Sequence, residues 1–345
     1  MTDADGENQY LLDLSRPPTR KGVETLKKRA RRLADAQQSI TEAVDKIRRL
    51  TMSNHLPEIR LRHGFVRLSI PASPNSSDRS APKPEHRPPS TRLMSPNGIA
   101  LKLELIALFE AQTRTQPGLR PLDNTTPLRE VSDGDMCWSN YIASGAQSTV
   151  GDGYLMSAQD KKFRQLGTAL DRLKKEGLIH SPNHERRADK HQGFRLMRED
   201  ARRGHTGDFY RVPDAAEEYF TIPATLVTNG WIYVLEDSEL ALLLIAARLR
   251  AKHGDVTVRL EAGPRVLNYC LSRDSFEAHR MLKWLGLLDV TVDDDRRPNG
   301  RVENYAKKGA LPHGLRFLPA GLDKDAFSAV RDEVQYQLRR VKPQP

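Results

Sequence analysis

Cysteine is scarce: Cys137 and Cys270 are the two in 345 residues, which excludes a disulfide framework and a four-thiolate zinc site. Apolar residues are also few. They make up 38% of the chain, below the roughly 45–50% usual when glycine is counted, so a core forms while part of the sequence stays outside it. No apolar run is longer than the eight residues Leu240 to Ala247, far short of the ~20 that span a bilayer. The opening MTDADGENQY is acidic and polar, unlike a basic start followed by an apolar stretch, so no signal peptide is expected. These shortages suit a reducing cytoplasm. Negative charge is short as well: 45 Asp+Glu stand against 55 Lys+Arg, a formal charge of +10 and a pI near 9.6. That excess points to a polyanionic partner. At roughly 100–200 residues per domain the length predicts two domains, with extra arms.

After a polar N-terminus (1–20), expected to be disordered, residues 21–50 repeat apolar or small side chains at steps of three and four. Val23, Ala30, Gln37 and Val44 fall at heptad position a, and Leu26, Leu33, Ile40 and Ile47 at d. The pattern predicts a coiled-coil helix that dimerises the chain, with polar Gln37 setting register; the competing expectation is an amphipathic helix lying on its own domain. Residues 51–95 hold a short alternating piece, Ile59 to Ile70, which suits a hairpin or an edge strand packed on a later domain. A Pro/Ser-rich stretch follows, and the seven prolines of 71–96 predict a flexible linker.

From residue 96 the texture is globular. Ile99–Gln112 reads as a helix ended by Gln116-Pro117-Gly118. Ser157 and Asp160 form a cap-like pair opening a second helix, with Phe163, Leu166, Leu170 and Leu173 inward and Gly177 as its stop. A basic loop and Phe194-Arg195-Leu196 come next. The same order recurs beyond a linker at 204–220: a helix from Asp237 or Ser238 to Gly254, one starting near Pro264, one capped by Ser272, then Gly286-Leu287-Leu288, a polar tip and Leu315-Arg316-Phe317. Residues 323–345 contain an amphipathic helix with Phe327, Val330, Val334 and Leu338 on one side.

Both halves carry a helix ending in Leu-x-x-x-Gly-Leu-[Ile/Leu], Leu173 to Ile179 and Leu282 to Leu288, followed by a two-stranded basic hairpin. This resembles the winged helix-turn-helix, present twice, over 96–203 and 221–322. Tandem winged helices of this size are similar to plasmid-type replication initiators and to regulators on bacterial mobile elements. The long insertion at 120–155 departs from a compact winged helix. The expected fold is α+β, mainly α, with two winged helix-turn-helix domains, an N-terminal coiled-coil helix and a C-terminal helix.

A reading helix needs an apolar inner face and a basic or amide outer face. In the first unit the outward residues are Lys161, Lys162, Arg164, Gln165, Thr168 and Arg172. Lysine and arginine suit phosphates, while arginine and glutamine pair with guanine and adenine edges. Residues 155–203 carry thirteen Lys/Arg and seven Asp/Glu, a local +6, and the charge continues into the wing at Arg186, Arg187 and Lys190. In the second unit Arg273, Arg280 and Lys283 face outward and the wing offers Arg296, Arg297 and Arg301. There Asp293, Asp294 and Asp295 would repel phosphate unless they turn away, so a structural or dimerising use is the competing expectation.

Catalytic and metal patterns are missing. Gly145 to Asp152 has the wrong glycine spacing for a phosphate loop and Asp152 where lysine is needed. His180, His184 and His191 lack cysteine companions and sit among basic residues, as loop histidines do. His313-Gly-Leu-Arg316 echoes a tyrosine-recombinase box without its second histidine or an upstream arginine. The expectation is therefore a cytoplasmic, nucleoid- or plasmid-associated protein that is not an enzyme and uses no cofactor or metal. Double-stranded DNA and a second copy of itself are the expected partners, with no membrane and no small-molecule substrate. The rival is a scaffold whose winged helices dock proteins.

Overall fold

The computed structural model describes residues 18–52, 55–73, 81–96, 98–130, 136–145, 149–151, 154–182, 190–201, 207–293, 302–303, 305–309 and 311–341. The expected disordered N-terminus, apart from residues 18–20, lies outside them. The chain is a mainly helical α+β protein with small antiparallel sheets. A 32-residue helix α1 (Arg20–Thr51) leads into strand β1 (Glu58–Arg62), the short α2 (Pro89–Arg92) and α3 (Ala100–Thr113). Strands β2 (Thr149–Gly151) and β3 (Tyr154–Met156) precede α4 (Ala158–Lys175), β4 (Ile179–His180), β5 (Arg195–Leu196) and β6 (Tyr219–Pro223). The short α5 (Thr225–Thr228) and α6 (Trp231–Val234) lead to α7 (Asp237–His253), β7 (Val258–Arg259), α8 (Ala262–Leu267), α9 (Arg273–Phe276) and α10 (Ala278–Trp284). Last come β8 (Leu288–Thr291), α11 (Tyr305–Lys308), β9 (Gly314–Phe317) and α12 (Ala326–Arg339). Among the described residues no helix is long and apolar enough to cross a membrane.

The helix boundaries follow local chemistry. The Ser157 hydroxyl accepts from the Asp160 amide at 3.0 Å, and the Ser272 hydroxyl accepts from the Ser275 amide at 3.2 Å. Each satisfies an amide that the first turn leaves without a partner. Both α4 and α10 end the same way. Gly177 and Gly286 sit at φ of 75° and 71°, where a side chain would be strained. The amides of Leu178 and Leu287 then reach back to the carbonyls of Leu173 and Leu282, at 2.9 and 2.8 Å. The apolar pair after each glycine enters a strand. β4 pairs antiparallel with β5, and β8 with β9 in a three-stranded sheet of order β7-β9-β8.

α1 corrects the coiled-coil expectation. Leu26, Leu33, Ile40, Val44 and Ile47 are buried in the chain's own core, where α1 packs against α12, α5 and the turn Trp138–Tyr141. The buried stripe is d together with Arg29, Ala43 and partly Ala36, the g side, while Gln37 is exposed and Val23 and Ala30 are half-buried. The stripe is filled within one chain, so Leu26, Leu33, Ile40, Val44 and Ile47 serve intramolecular packing while Val23, Ala30 and Gln37 lie at its margin. Arg29 anchors the helix: its guanidinium makes two bonds to the Glu239 carboxylate of α7 and one to the Val234 carbonyl at 2.9 Å.

The linker expectation also needs correction where residues are described. Ser90, Thr91, Arg92 and Leu93 are buried. The Thr91 hydroxyl donates to the Tyr269 carbonyl at 3.2 Å, and the Arg92 guanidinium meets the Glu176 carboxylate at 3.1 Å. Upstream, β1 pairs with β6 from Glu58↔Pro223 to Arg62↔Tyr219, with Ile59 and Leu61 fully enclosed. The expected alternating piece Ile59 to Ile70 is thus a strand on a later part of the chain as far as Arg62, and a turn from His63 onward. The described part of the 120–155 insertion docks too: the Trp138 ring packs at a tilt with its centre 4.9 Å from that of Phe194, and its indole N–H donates to Asn124.

At the centre, α3 is buried on nearly every side. It carries Glu104, whose two carboxylate oxygens find no hydrogen-bond partner among the described residues. Burial pushes its pKa well above the ordinary carboxylate value; nearby Glu199 adds to this and Arg92 opposes it. A folded pKa above the unfolded one favours folding at pH below about 4.5, and that contribution is lost as pH climbs through the folded value. Glu104→Gln should therefore flatten the decline of thermal stability between pH 5 and pH 8, by about 1–3 kcal/mol, the usual scale for an unsatisfied buried polar group. Melts across that range would reject this assignment if the two slopes coincided.

Candidate nucleic-acid interface

α4 has the two faces that a reading helix needs. Leu166, Ala169, Leu170 and Leu173 are buried, with Phe163 half-buried under the Arg129 guanidinium, 3.6 Å from its ring centre. Arg164, Gln165 and Thr168 are exposed, and the Thr168 hydroxyl donates to the Arg164 carbonyl at 3.0 Å. Lys161 is half-buried on the same side as Arg164 and Thr168. Gln165 lies toward α1, bordering a cleft with Ala36 and Ile40.

Two of the expected contacts are committed to the fold instead. The Lys162 ammonium sits 3.7 Å from the Glu42 carboxylate of α1. Arg172 donates to the Arg92 carbonyl at 3.0 Å and meets the Glu176 carboxylate at 3.2 Å, tying α4 to α2. Both are cations with a partner far away in sequence, Glu42 for Lys162 and Arg92 for Arg172.

Lys190 and His191 are fastened to α4 at the foot of the β4–β5 hairpin. The Lys190 ammonium donates to Asp171 at 2.8 Å, and the His191 ring is held between Asp171 at 3.0 Å and the Ser181 hydroxyl at 2.7 Å. Burial works against the Asp171 charge, yet the Lys190 and His191 bonds bring its pKa below the ordinary value. Burial lowers that of His191, with Asp171 opposing. Ser181 is fully enclosed, so this Ser–His–Asp chain is a clamp that fixes the hairpin and has no exposed nucleophile. Arg186, Arg187 and His184 lie outside the described residues. No group of three or more metal-ligating side chains occurs among the described residues.

In the second unit Arg273 is exposed on α9. Arg280 stacks over the Trp284 ring at 5.6 Å with its Nε enclosed and unbonded, and burial lowers its pKa against the nearby Glu277 charge. Lys283 donates to the Val290 carbonyl at 2.7 Å, closing α10 onto β8. Lys283 is therefore committed to the fold, and Arg280 is half-buried against Trp284. Asp293 does turn inward: it is buried and accepts from the Leu311 amide at 3.2 Å. Arg296, Arg297, Arg301, Asp294 and Asp295 lie outside the described residues.

Sequence reasoning missed a second basic cluster beside β5. The Phe209 ring lies between the guanidinium groups of Arg120, 3.9 Å away, and Arg195, 4.2 Å away, with exposed Arg211 close by. Phe209 reaches this place because Met197 and Phe209 bridge, extending the β5 side of the hairpin. The interleaving of arginine with an aromatic was the available signal, but its members are spread over ninety residues. No family model, no curated protein and no solved structure matches the chain.

Proposed function

We propose that the protein binds double-stranded DNA in the cytoplasm through winged-helix units at 96–203 and 221–322, with α4 as the reading helix. The observation that carries this reading is the element order of 237–317: α7, β7, α8, α9 with α10, then a β8–β9 hairpin with β9 in the centre of its sheet. That order is the one expected of a helix, a helix–turn–helix and a two-stranded wing, and it supports the reading. The first unit repeats its end, with the same glycine stop and an antiparallel pair, and adds an exposed Arg164–Thr168 face on α4. Because Lys283 is held internally and Arg280 is half-buried, the second unit acts chiefly as a scaffold and the first as the reader. No step of this function asks for covalent chemistry.

Arg164→Ala should lose about 1–3 kcal/mol on the preferred site and much less on random duplex. Gln165→Ala should lose less than Arg164→Ala, since it borders α1. Lys175→Ala, exposed at the helix end, should weaken all sequences alike and reduce the salt slope by roughly one. Lys162→Ala should leave that slope unchanged, because its ammonium faces Glu42. Site selection followed by titration at several salt concentrations checks all four; equal affinities throughout would remove α4 as the reader and favour protein docking. Direct repeats in the selected sites would indicate replication initiation, and a palindrome would indicate transcriptional control.

A further inference from the structure

A cleft of about 570 Å³ opens where the chain leaves β1, between the turn His63–Ser69, the Arg87–Arg92 segment and α7. Its volume is that of a small-molecule site. Six arginines line it: Arg62, Arg67, Arg87, Arg92, Arg198 and Arg248. Three are neutralised, Arg62 by Glu199 and Glu217, Arg92 by Glu176, and Arg198 by Asp200. Arg67, Arg87 and Arg248 have no carboxylate at ion-pair distance among the described residues, and exposed Glu218 is the one lining carboxylate left without a cation.

Arg248 is the decisive residue. It interrupts the apolar run of α7, is 6% exposed, and donates from one terminal nitrogen to the Tyr269 hydroxyl at 2.8 Å. Its Nε is enclosed without an acceptor among the described residues. A buried guanidinium with an unused donor is costly unless something completes it. Burial lowers the pKa of Arg248, with Tyr269 opposing and Arg67 adding to the fall. His63 is lowered too, by burial first and then by Arg248, with Lys252 and Arg67 adding to it and Glu218 opposing. The cleft is an electropositive concavity held together by ion pairs at its walls, with no ion pair at Arg248 among the described residues.

We infer that this cleft binds a multiply charged phosphate group, held by Arg67, Arg87 and Arg248. Guanidinium forks match phosphate oxygens in pairs, and three of them suit a di- or triphosphate better than a single carboxylate. The recessed position of Arg248 selects a phosphate that projects into the cleft, as on a free nucleotide-like molecule or a single-stranded backbone. The inference stands apart from the α4 reading, since none of these residues belongs to α4 or its hairpin.

Inorganic pyrophosphate titrated calorimetrically into the full-length protein at low salt is the test. Saturable one-to-one binding is expected. Arg67→Ala and Arg87→Ala should each weaken it about tenfold, the effect of one charge-assisted hydrogen bond. Arg248→Lys, which keeps the buried charge, should weaken it similarly while the protein still melts cooperatively. Arg164→Ala should leave it unchanged. A single-stranded oligonucleotide that displaces pyrophosphate identifies a backbone as the source; failure to displace identifies a free phosphorylated ligand. No saturable binding, or equal affinity in the wild type, Arg67→Ala and Arg87→Ala, overturns the site.

Discussion

Removing residues 1–51 is expected to abolish cooperative folding rather than to split a dimer. Leu26, Leu33, Ile40, Val44 and Ile47 are covered by the chain's own α5, α12 and Trp138–Tyr141 turn. Each such side chain stabilises by about 1.5–3 kcal/mol when buried. Five of them amount to about 8–15 kcal/mol, comparable to the ~5–15 kcal/mol that holds a whole domain folded. The deletion also strands the Glu239 carboxylate, 6% exposed and bonded to Arg29, inside α7 without that guanidinium. Leu33→Lys with Ile40→Lys should act in the same direction by placing two ammonium groups in the core. Circular dichroism melts of the truncated and full chains decide the matter, together with sedimentation of the full chain. A truncated chain that melts cooperatively within a few degrees of the full one, at half its mass, would restore the intermolecular seam.

Local signals were legible in the sequence and long-range partners were not. Gly177, Gly286, Ser157 and Ser272 mark helix ends because their effect is confined to one turn. The alternation after residue 58 gave a strand for the same reason, although only the pairing with 219–223 says where it lies. The heptad at 21–50 reported an apolar stripe, but period alone is blind to whether a second copy or the chain itself covers it. Its true face, d with g, is shifted by the charged anchor Arg29, whose partner is 210 residues away. The Pro-rich 81–96 looked like a linker because composition says nothing about Glu176 waiting for Arg92. The same blindness affects the candidate interface. Lys162, Arg172, Lys190 and Lys283 were legible as cations, yet Glu42, Arg92, Asp171 and Val290 take up their hydrogen-bonding and charge capacity.

Arg62→Ala should be the most damaging single substitution, costing about 3–5 kcal/mol, the range for removing one partner of a buried pair. The side chain is 2% exposed and makes charge-assisted bonds to Glu199 at 2.7 Å and Glu217 at 2.7 Å, plus one to the Arg211 carbonyl at 3.0 Å. Glu199 is fully enclosed, and its other oxygen already accepts from the Arg62 backbone amide. Burial raises the Glu199 pKa even with Arg62 beside it, and Arg62 is the first of the groups that hold it down. Without the guanidinium the carboxylate must ionise alone next to Glu104, so its pKa rises further. A raised folded pKa means stability that is present at acid pH and lost as pH rises. The deficit of Arg62→Ala should therefore be largest near pH 8 and shrink toward pH 5. Adding Glu199→Gln should recover much of it, because the orphaned charge is then gone and only the lost packing is left. Denaturant titrations of both single variants and the double variant at the two pH values measure this directly. A deficit below about 1 kcal/mol at pH 8, or one that the second substitution deepens, would mean that the pair does not anchor β1 and the wall of the arginine cleft beside it.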